Sequence, residues 1–123
     1  MTEETITLKE MCAKFDVTPR TLRYYEYIEL LFPKKKGRTR LYGSTEFARM
    51  KLIMRGRRFG FSLEEIRQWL EMYNEHGERE QMAIWVEKSG SQIEELESRK
   101  IQLQETIDEL RTRHQRGMDI LSK

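Results

Sequence analysis

The feature that most constrains the fold of this 123-residue chain is a run of heptads in its second half. Apolar residues recur every seven positions, and a second set follows three residues after the first, which places both sets on one stripe of an α-helix. The a positions are Val86, Ile93, Lys100, Ile107, His114 and Leu121, and the d positions are Ser89, Leu96, Leu103, Leu110 and Gly117. The pattern predicts a coiled coil whose dimerisation contacts come from Ile93, Leu96, Lys100, Leu103, Ile107 and Leu110.

A helix from about Arg79 to Leu121 would be on the order of 60 Å long. The rest of the chain would form a globule roughly half as wide, so much of the apolar stripe would need a partner. A second copy of the chain is the simplest partner, and a single helix docked on its own domain is the alternative. Gly90, between two serines, leaves a break in the helix open, but we favour one continuous helix.

Two short helices are predicted near the N-terminus. Thr7 and Glu10 match the capping box that starts a helix. Thr18 is expected to cap the next helix, with Pro19 in its first turn, where the missing N–H costs nothing. Two short helices separated by a turn of about three residues indicate a helix-turn-helix.

The chain then continues with features of a wing and two more helices. Residues 31–42 have extended ends around a Lys/Gly/Arg tip, which predicts a small β-hairpin. Ser44 is expected to cap a third helix, residues 56–60 to form a basic turn, and Ser62 with Glu65 to cap a fourth helix.

A polar breaker at residues 74–77 marks the predicted domain boundary. It divides the chain into a first domain, 1–76, and a terminal helix, 77–123. The predicted fold class is mainly α, a helix-turn-helix with a small hairpin followed by a long coiled-coil helix.

Charge is distributed unevenly between the halves. The net charge is only +2, but residues 1–60 carry +7 and residues 61–123 carry −5. A basic half suits a polyanion, and nucleic acid is favoured over a membrane surface because no basic amphipathic helix with aromatic anchors is present.

The exposed side of the second helix is the best candidate for reading DNA. A helical wheel with Leu22 facing inward turns Arg20, Arg23 and Tyr24 outward. Arginine can bond guanine or a phosphate, and tyrosine can bond backbone oxygens. Tyr25 is interpreted as half-buried packing, and a merely solvated arginine face is the alternative.

Further phosphate contacts are expected from two basic segments. Those of the hairpin are Lys35, Lys36, Arg38 and Arg40. Arg57 and Arg58 precede the fourth helix, whose first N–H groups at Ser62 and Leu63 attract anions; ordinary surface arginines are the alternative there.

No residues of a catalytic or metal site are predicted. The chain has no Ser-His-Asp grouping, phosphate-binding glycine loop or HExxH motif, and Cys12 is its one cysteine. We therefore expect neither an enzyme nor a cofactor, and we expect Cys12 to lie in the core. With no apolar run long enough to span a bilayer and no signal peptide, a cytoplasmic, nucleoid-associated protein is expected.

Three segments together carry a family resemblance. They are Val17-Thr18-Pro19-Arg20-Thr21-Leu22-Arg23-Tyr24-Tyr25-Glu26 with Leu30-Leu31 and Pro33, then Arg40-Leu41-Tyr42, then Gly60-Phe61-Ser62-Leu63-Glu64-Glu65-Ile66. Over about residues 5–73 the chain resembles MerR-family transcription regulators. Asp16 and Glu29 stand where glycine is usual in this family, which puts the local turn geometry in doubt but not the fold.

The resemblance implies a winged helix-turn-helix DNA-binding domain, 1–76, followed by a dimerisation helix, 77–123. Two copies would be joined by an antiparallel coiled coil, and the homodimer would bind a pseudo-palindromic promoter operator in double-stranded DNA. It also implies that the dimer distorts a spacer that is too long, which brings the promoter elements into register for RNA polymerase. The DNA-binding residues predicted in all are Thr18, Arg20, Thr21, Arg23, Tyr24, Lys36, Arg38, Arg40, Tyr42, Arg57, Arg58 and Ser62.

The effector is the least constrained part of the prediction. The chain resembles a subgroup linked to catabolism of branched-chain amino acids or fatty acids, which points to a small acyl-type metabolite. Two alternatives to a promoter regulator are an architectural or excisionase-like DNA-bending factor and a coiled-coil adaptor that binds an acidic protein.

Overall fold

The computed structural model describes residues 4–75 and 77–123. The elements in chain order are β1 (Ile6–Thr7), α1 (Leu8–Phe15), α2 (Pro19–Tyr27), β2 (Lys34–Lys36), β3 (Thr39–Tyr42), α3 (Ser44–Arg58), α4 (Leu63–Glu75) and α5 (Glu78–Leu121). The predicted fold class is confirmed: a mainly helical chain with a helix-turn-helix, a small wing sheet and a long terminal helix.

The chain separates into two compact units, Met1–Gln81 and Met82–Lys123. The boundary predicted after residue 76 falls on a residue outside the described ones. The helix α4 continues to Glu75, so residues 74 and 75 belong to a helix and not to the predicted breaker.

Helices α1, α2 and α4 begin where the capping residues predict. Thr7 and Glu10 close their capping box, since each backbone N–H donates to the other side chain, at 3.2 and 3.3 Å. Ser62 and Glu65 do the same at 3.0 and 3.1 Å. Thr18 accepts a hydrogen bond from a backbone N–H in the first turn of α2. These bonds satisfy N–H groups that a helix leaves without partners.

Helices α1, α2 and α3 are each followed, within two positions of their last residue, by a residue in the left-handed conformation. The residues are Asp16 (φ 53°), Glu29 (φ 64°) and Gly60 (φ 90°). After each, the next amide donates to the carbonyl five residues back, as in a Schellman motif. These bonds are Val17 N to Cys12 O (3.1 Å), Leu30 N to Tyr25 O (2.8 Å) and Phe61 N to Gly56 O (3.0 Å). The turn geometry is thus kept although Asp16 and Glu29 carry side chains.

Helix α3 differs from the prediction at both ends. Its N-cap is Gly43, with no side-chain hydrogen bond, and Ser44 is already its first helical residue. Gly56 lies inside the helix, so the turn predicted over residues 56–60 is limited to Phe59 and Gly60. A Cβ at Gly56 would lie 2.9 Å from the side chain of Ile66, so this glycine permits the close approach of α3 and α4. The left-handed residue that follows α3 is Gly60.

The predicted hairpin is confirmed and is completed by a strand that the sequence did not predict. β2 and β3 pair antiparallel, with Lys34 opposite Leu41 and Lys36 opposite Thr39. The short β1 pairs with the other edge of β3, with Ile6 opposite Tyr42. The sheet order is therefore β1-β3-β2, and β3 is its central strand.

One apolar core holds α1 to α4 and the sheet together. Its buried members are Met11, Leu22, Tyr25, Leu30, Leu31, Tyr42, Met50, Ile53, Ile66 and Leu70. Cys12 packs against this core as predicted, and burial raises the pKa of its thiol.

Helix α5 is continuous through Gly90, as favoured from the sequence. Its described residues include none that is buried, and exposed ion pairs such as Arg99–Glu95 and Arg113–Glu109 lie along it. None of the helices formed by residues 4–75 and 77–123 combines the length and apolar character needed to cross a membrane.

The left-handed conformation of Glu29 generates a stability prediction. A side chain in this conformation costs about 1–2 kcal/mol, and glycine avoids that cost at the expense of more freedom in the unfolded chain. Glu29→Gly should therefore raise the free energy of unfolding by up to about 1 kcal/mol, measured by urea denaturation at one protein concentration. Glu29→Ala, which removes the charge but keeps a Cβ, is the control, and equal stabilities of the two variants would contradict the prediction.

Candidate nucleic-acid interface

Packing of α2 against the core decides which of its residues face outward. Leu22 is fully buried and Tyr25 is 5% exposed, so one side of the helix is anchored. Tyr24 is half exposed, and Arg20 and Arg23 are exposed. The exposed positions of these three, and the burial of Tyr25, agree with the helical wheel.

The arginines of this face are available for a ligand. Neither the side chain of Arg20 nor that of Arg23 has a hydrogen-bond or ion-pair partner among the described residues. Thr18 and Thr21 stand at the start of the same helix, but their hydroxyls already bond each other at 2.9 Å. Their main local role is to cap α2, and a contact with DNA stays a prediction for both.

The hairpin brings further basic groups to the same unit. Lys36 is the last residue of β2, and Arg38 lies in the turn after Gly37, which takes a positive φ of 66°. Both side chains are exposed. Neither forms an ion pair with a described residue. They are the hairpin cations best placed to meet a polyanion.

Arg40 is engaged inside the protein. Its Nε donates to Glu26 Oε2 at 2.7 Å, and its side chain is 28% exposed. Lys35 Nζ lies 3.6 Å from the other carboxylate oxygen, Oε1. This side chain connects β3 to α2, a contact that the sequence did not predict, and the phosphate contact expected of Arg40 stays a prediction.

Tyr42 does not belong to the interface, which corrects the prediction for this residue. Its side chain is fully buried, and its hydroxyl has no hydrogen-bond partner among the described residues. Burial, and secondarily the carboxylate of Glu26, raises the pKa of Tyr42 to about 12. It faces the core because it ends β3 opposite Ile6 of β1, the strand that was not predicted.

The predicted phosphate clamp before α4 is altered. Arg57 and Arg58 are exposed but lie in the last turn of α3, not in a turn before α4. The N–H of Ser62 donates to the carboxylate of Glu65, so it is not free for an anion. A carboxylate at this position also repels phosphate. The capping role predicted for Ser62 is confirmed, and a phosphate contact by this residue stays a prediction.

Two residues that support the interface were missed. Arg49 Nε donates to the carbonyl of Leu30 at 2.8 Å, and Glu46, which is buried, accepts from the N–H of Phe32 at 2.9 Å. Both come from α3 and hold the segment between α2 and the hairpin. A buried charge such as Glu46 needs a partner, but its partner lies 14 residues away and no local spacing identifies it.

The second unit carries the predicted dimerisation residues. Their apolar side chains are exposed: Ile93 55%, Leu96 42%, Leu103 61%, Ile107 36% and Leu110 66%. Lys100 is exposed as well. They lie on one continuous helix at heptad spacing, and water contact by so many apolar groups is unfavourable.

Comparison with known proteins bears on the family. A family model described as "MerR HTH family regulatory protein" matches residues 6–73, and one described as "MerR, DNA binding" matches residues 47–113. The HTH-type transcriptional regulator ZntR of Escherichia coli (strain K12) is 34% identical over 100 residues, covering 77% of this chain and 68% of that protein. The uncharacterized HTH-type transcriptional regulator PA4778 of Pseudomonas aeruginosa is 28% identical over 123 residues, covering 94% and 93%.

Solved structures show the same fold. A MerR-family transcriptional regulator from Bacillus cereus superposes with a TM-score of 0.72 at 26% identity, covering 85% of this chain and 76% of that one. The regulator HiNmlR, described as lacking the sensor domain and bound to promoter DNA, gives a TM-score of 0.63 at 18% identity, covering 85% and 80%. These names describe transcriptional regulators, which favours promoter regulation over the architectural alternative.

Burial of Tyr42 predicts how a conservative substitution behaves. Tyr42→Phe should leave DNA affinity unchanged and raise the free energy of unfolding by up to about 1 kcal/mol, since it removes a buried hydroxyl without a partner. Between pH 10 and 12 the unfolded tyrosine loses its proton first, so the wild type should lose stability with rising pH while the Phe variant does not. Urea denaturation and a DNA-binding assay measure both effects.

The matched control is Tyr27→Phe, because the Tyr27 side chain is 82% exposed. It should show no such pH-dependent difference from the wild type. A Tyr42→Phe variant that folds normally but binds DNA more weakly would return Tyr42 to the interface.

Proposed function

The chain belongs to the MerR family of DNA-binding transcriptional regulators, and from this premise we propose that two copies bind one pseudo-palindromic promoter operator. The observation that supports the reading surface is a pair of arginines, Arg20 and Arg23, on the exposed side of the second helix of the helix-turn-helix, whose side chains have no partner within the described part of the chain. In such motifs this helix enters the major groove.

The groups proposed to contact DNA divide by chemistry. Arg23 and Arg20 can each donate two hydrogen bonds to guanine or to a phosphate, and Tyr24 can donate one to a backbone oxygen. Lys36 and Arg38 at the hairpin tip, with Arg57 and Arg58, can neutralise phosphates and release counterions. The helix would thus read sequence, and the other cations would fix its position on the duplex.

The partner proposed for α5 is a second copy of this chain. Four or five apolar side chains per copy would be removed from water, each worth about 1.5–3 kcal/mol before the cost of ordering. Lys100 in the middle of the stripe would lower stability but fix register. Twofold symmetry of the protein then requires two half-sites in the DNA.

Promoter control follows from a bound dimer that deforms its site. Distortion of a promoter spacer costs of order 1–6 kcal/mol, which contacts at both half-sites can offset. We propose RNA polymerase as the partner that uses the distorted promoter, which places the protein in the cytoplasm with the nucleoid.

We propose a small acyl-type metabolite as the effector. The support is the resemblance to the subgroup linked to branched-chain amino acid or fatty acid catabolism. DNA affinity measured with and without metabolites of this class tests the proposal, and an affinity that no such compound changes contradicts it.

The reading surface is tested with Arg23→Ala. The probe is the duplex that the wild-type protein enriches from a randomised pool. Because each copy would lose a bidentate contact worth about 1–3 kcal/mol, affinity for this duplex should fall about a hundredfold. Arg99→Ala, which removes the same charge from α5, should bind normally. An Arg23→Ala protein with unchanged helicity and unchanged affinity would refute the assignment.

The dimer is tested with Leu103→Lys. A lysine in the stripe removes buried apolar contacts from both copies, so the dissociation constant of the dimer should rise at least about a hundredfold. Gln102→Lys, one residue away and off the stripe, is the control with the same introduced charge. Sedimentation equilibrium measures both, and an unchanged dimer for Leu103→Lys would show that the contact lies elsewhere.

A further inference from the structure

One acidic residue lies on the otherwise basic face of the first unit. Glu26 is in α2, three residues after Arg23, so the two side chains are neighbours on the helix surface. Its carboxylate is 23% exposed. A negative charge beside the proposed DNA-reading arginine repels phosphate, so its presence there needs a physical reason.

The reason lies in the hairpin. Lys35 on β2 and Arg40 on β3 are directly opposite each other in the antiparallel pair. Side chains at opposite positions project from the same face of a sheet, and two like charges there destabilise it. Glu26 accepts from Arg40 at 2.7 Å with one oxygen and lies 3.6 Å from Lys35 with the other. The carboxylate therefore offsets the repulsion and ties both strands to α2.

This contact links the two parts of the reading surface. Arg40 is two residues from Arg38 along the chain, and Lys35 is next to Lys36, so the anchored positions immediately precede and follow the tip. The segment that leads from α2 into the hairpin is held separately, because Arg49 of α3 donates a hydrogen bond to the carbonyl of Leu30. The hairpin is thus fixed at its start by α3 and along its length by α2.

We propose that Glu26 is a positioning residue that sets the hairpin in register with α2, so that operator selectivity depends on it although it binds no DNA itself. The proposal rests on the proposed function, and it gives Arg40 a supporting role instead of a phosphate contact. Electrostatics alone predicts the opposite outcome for removal of Glu26, since loss of a negative charge should strengthen binding to any duplex.

The experiment measures two affinities for each variant. One duplex is that enriched by the wild type from a randomised pool, and the other is an unrelated duplex of equal length. Glu26→Ala should weaken binding to the enriched duplex about tenfold and leave binding to the unrelated duplex equal or tighter. Glu26→Gln, which keeps an acceptor oxygen for Arg40, should lose less selectivity, and it serves as the test if the Ala variant is poorly folded.

Two comparisons separate positioning from other roles. Arg40→Gln should lower the affinity ratio as much as Glu26→Ala does, and the double variant should lower it no further, because the two side chains act through one contact. Glu64→Gln is the matched control, since Glu64 forms an ion pair of the same length, 2.7 Å, with Arg67 within α4. It should leave the ratio unchanged.

Distinct results would overturn the inference. If Glu26→Ala tightens binding to both duplexes equally, Glu26 acts only by repulsion. If Arg40→Gln weakens both alike, reduces the salt slope by about two, one for each copy, and adds to Glu26→Ala, Arg40 binds phosphate directly. Failure of the wild type to enrich any duplex would overturn the proposed function and this inference with it, whereas an unchanged ratio in a selective protein overturns the inference alone.

Discussion

Burial of Leu22 and Tyr25 is the constraint on which the rest of the first unit depends. α2 has nine residues, and two anchors three positions apart fix its rotation about its own axis. That rotation alone decides that Arg20 and Arg23 face outward and that Glu26 faces the hairpin. The chemistry of the surface is therefore set by apolar packing, and a change in the core would rotate the two arginines without altering either of them.

The starts of α1, α2 and α4 could be predicted from the sequence, whereas the start of α3 and several helix ends could not. The hydrogen bonds of a capping box join residues only three apart, so Thr7 and Ser62 identify the start of a helix from local sequence alone. An end depends on which residue can adopt the left-handed conformation, and Asp16 and Glu29 do so without being glycine. Gly56 predicted the beginning of a turn, but it lies inside α3, where the absence of a side chain makes room for the side chain of Ile66 from α4. Spacing along the chain carries no record of that contact.

The same distinction separates the side-chain positions that the sequence predicts from those that it does not. Exposure of Arg23 and Tyr24 follows from helical periodicity, which the sequence contains. The burial of Tyr42 and the pairing of Arg40 depend on β1 and on Glu26, which are distant in the chain. β1 has only two residues, too few for an alternating pattern, and it exists because β3 offers it an edge. The negative charge of Glu26, three residues after Arg23, was the signal in the sequence that this carboxylate has a specific partner.

The exposed apolar stripe of α5 has a consequence for how such a protein responds to its own abundance. If folding of this helix is completed by association, stability depends on how many molecules are present. At low copy number most protomers would be monomers. The concentration of dimers would then rise with the square of the total protein concentration. A gene controlled through such a pair would respond over a narrower range of regulator concentration than one controlled by a monomer.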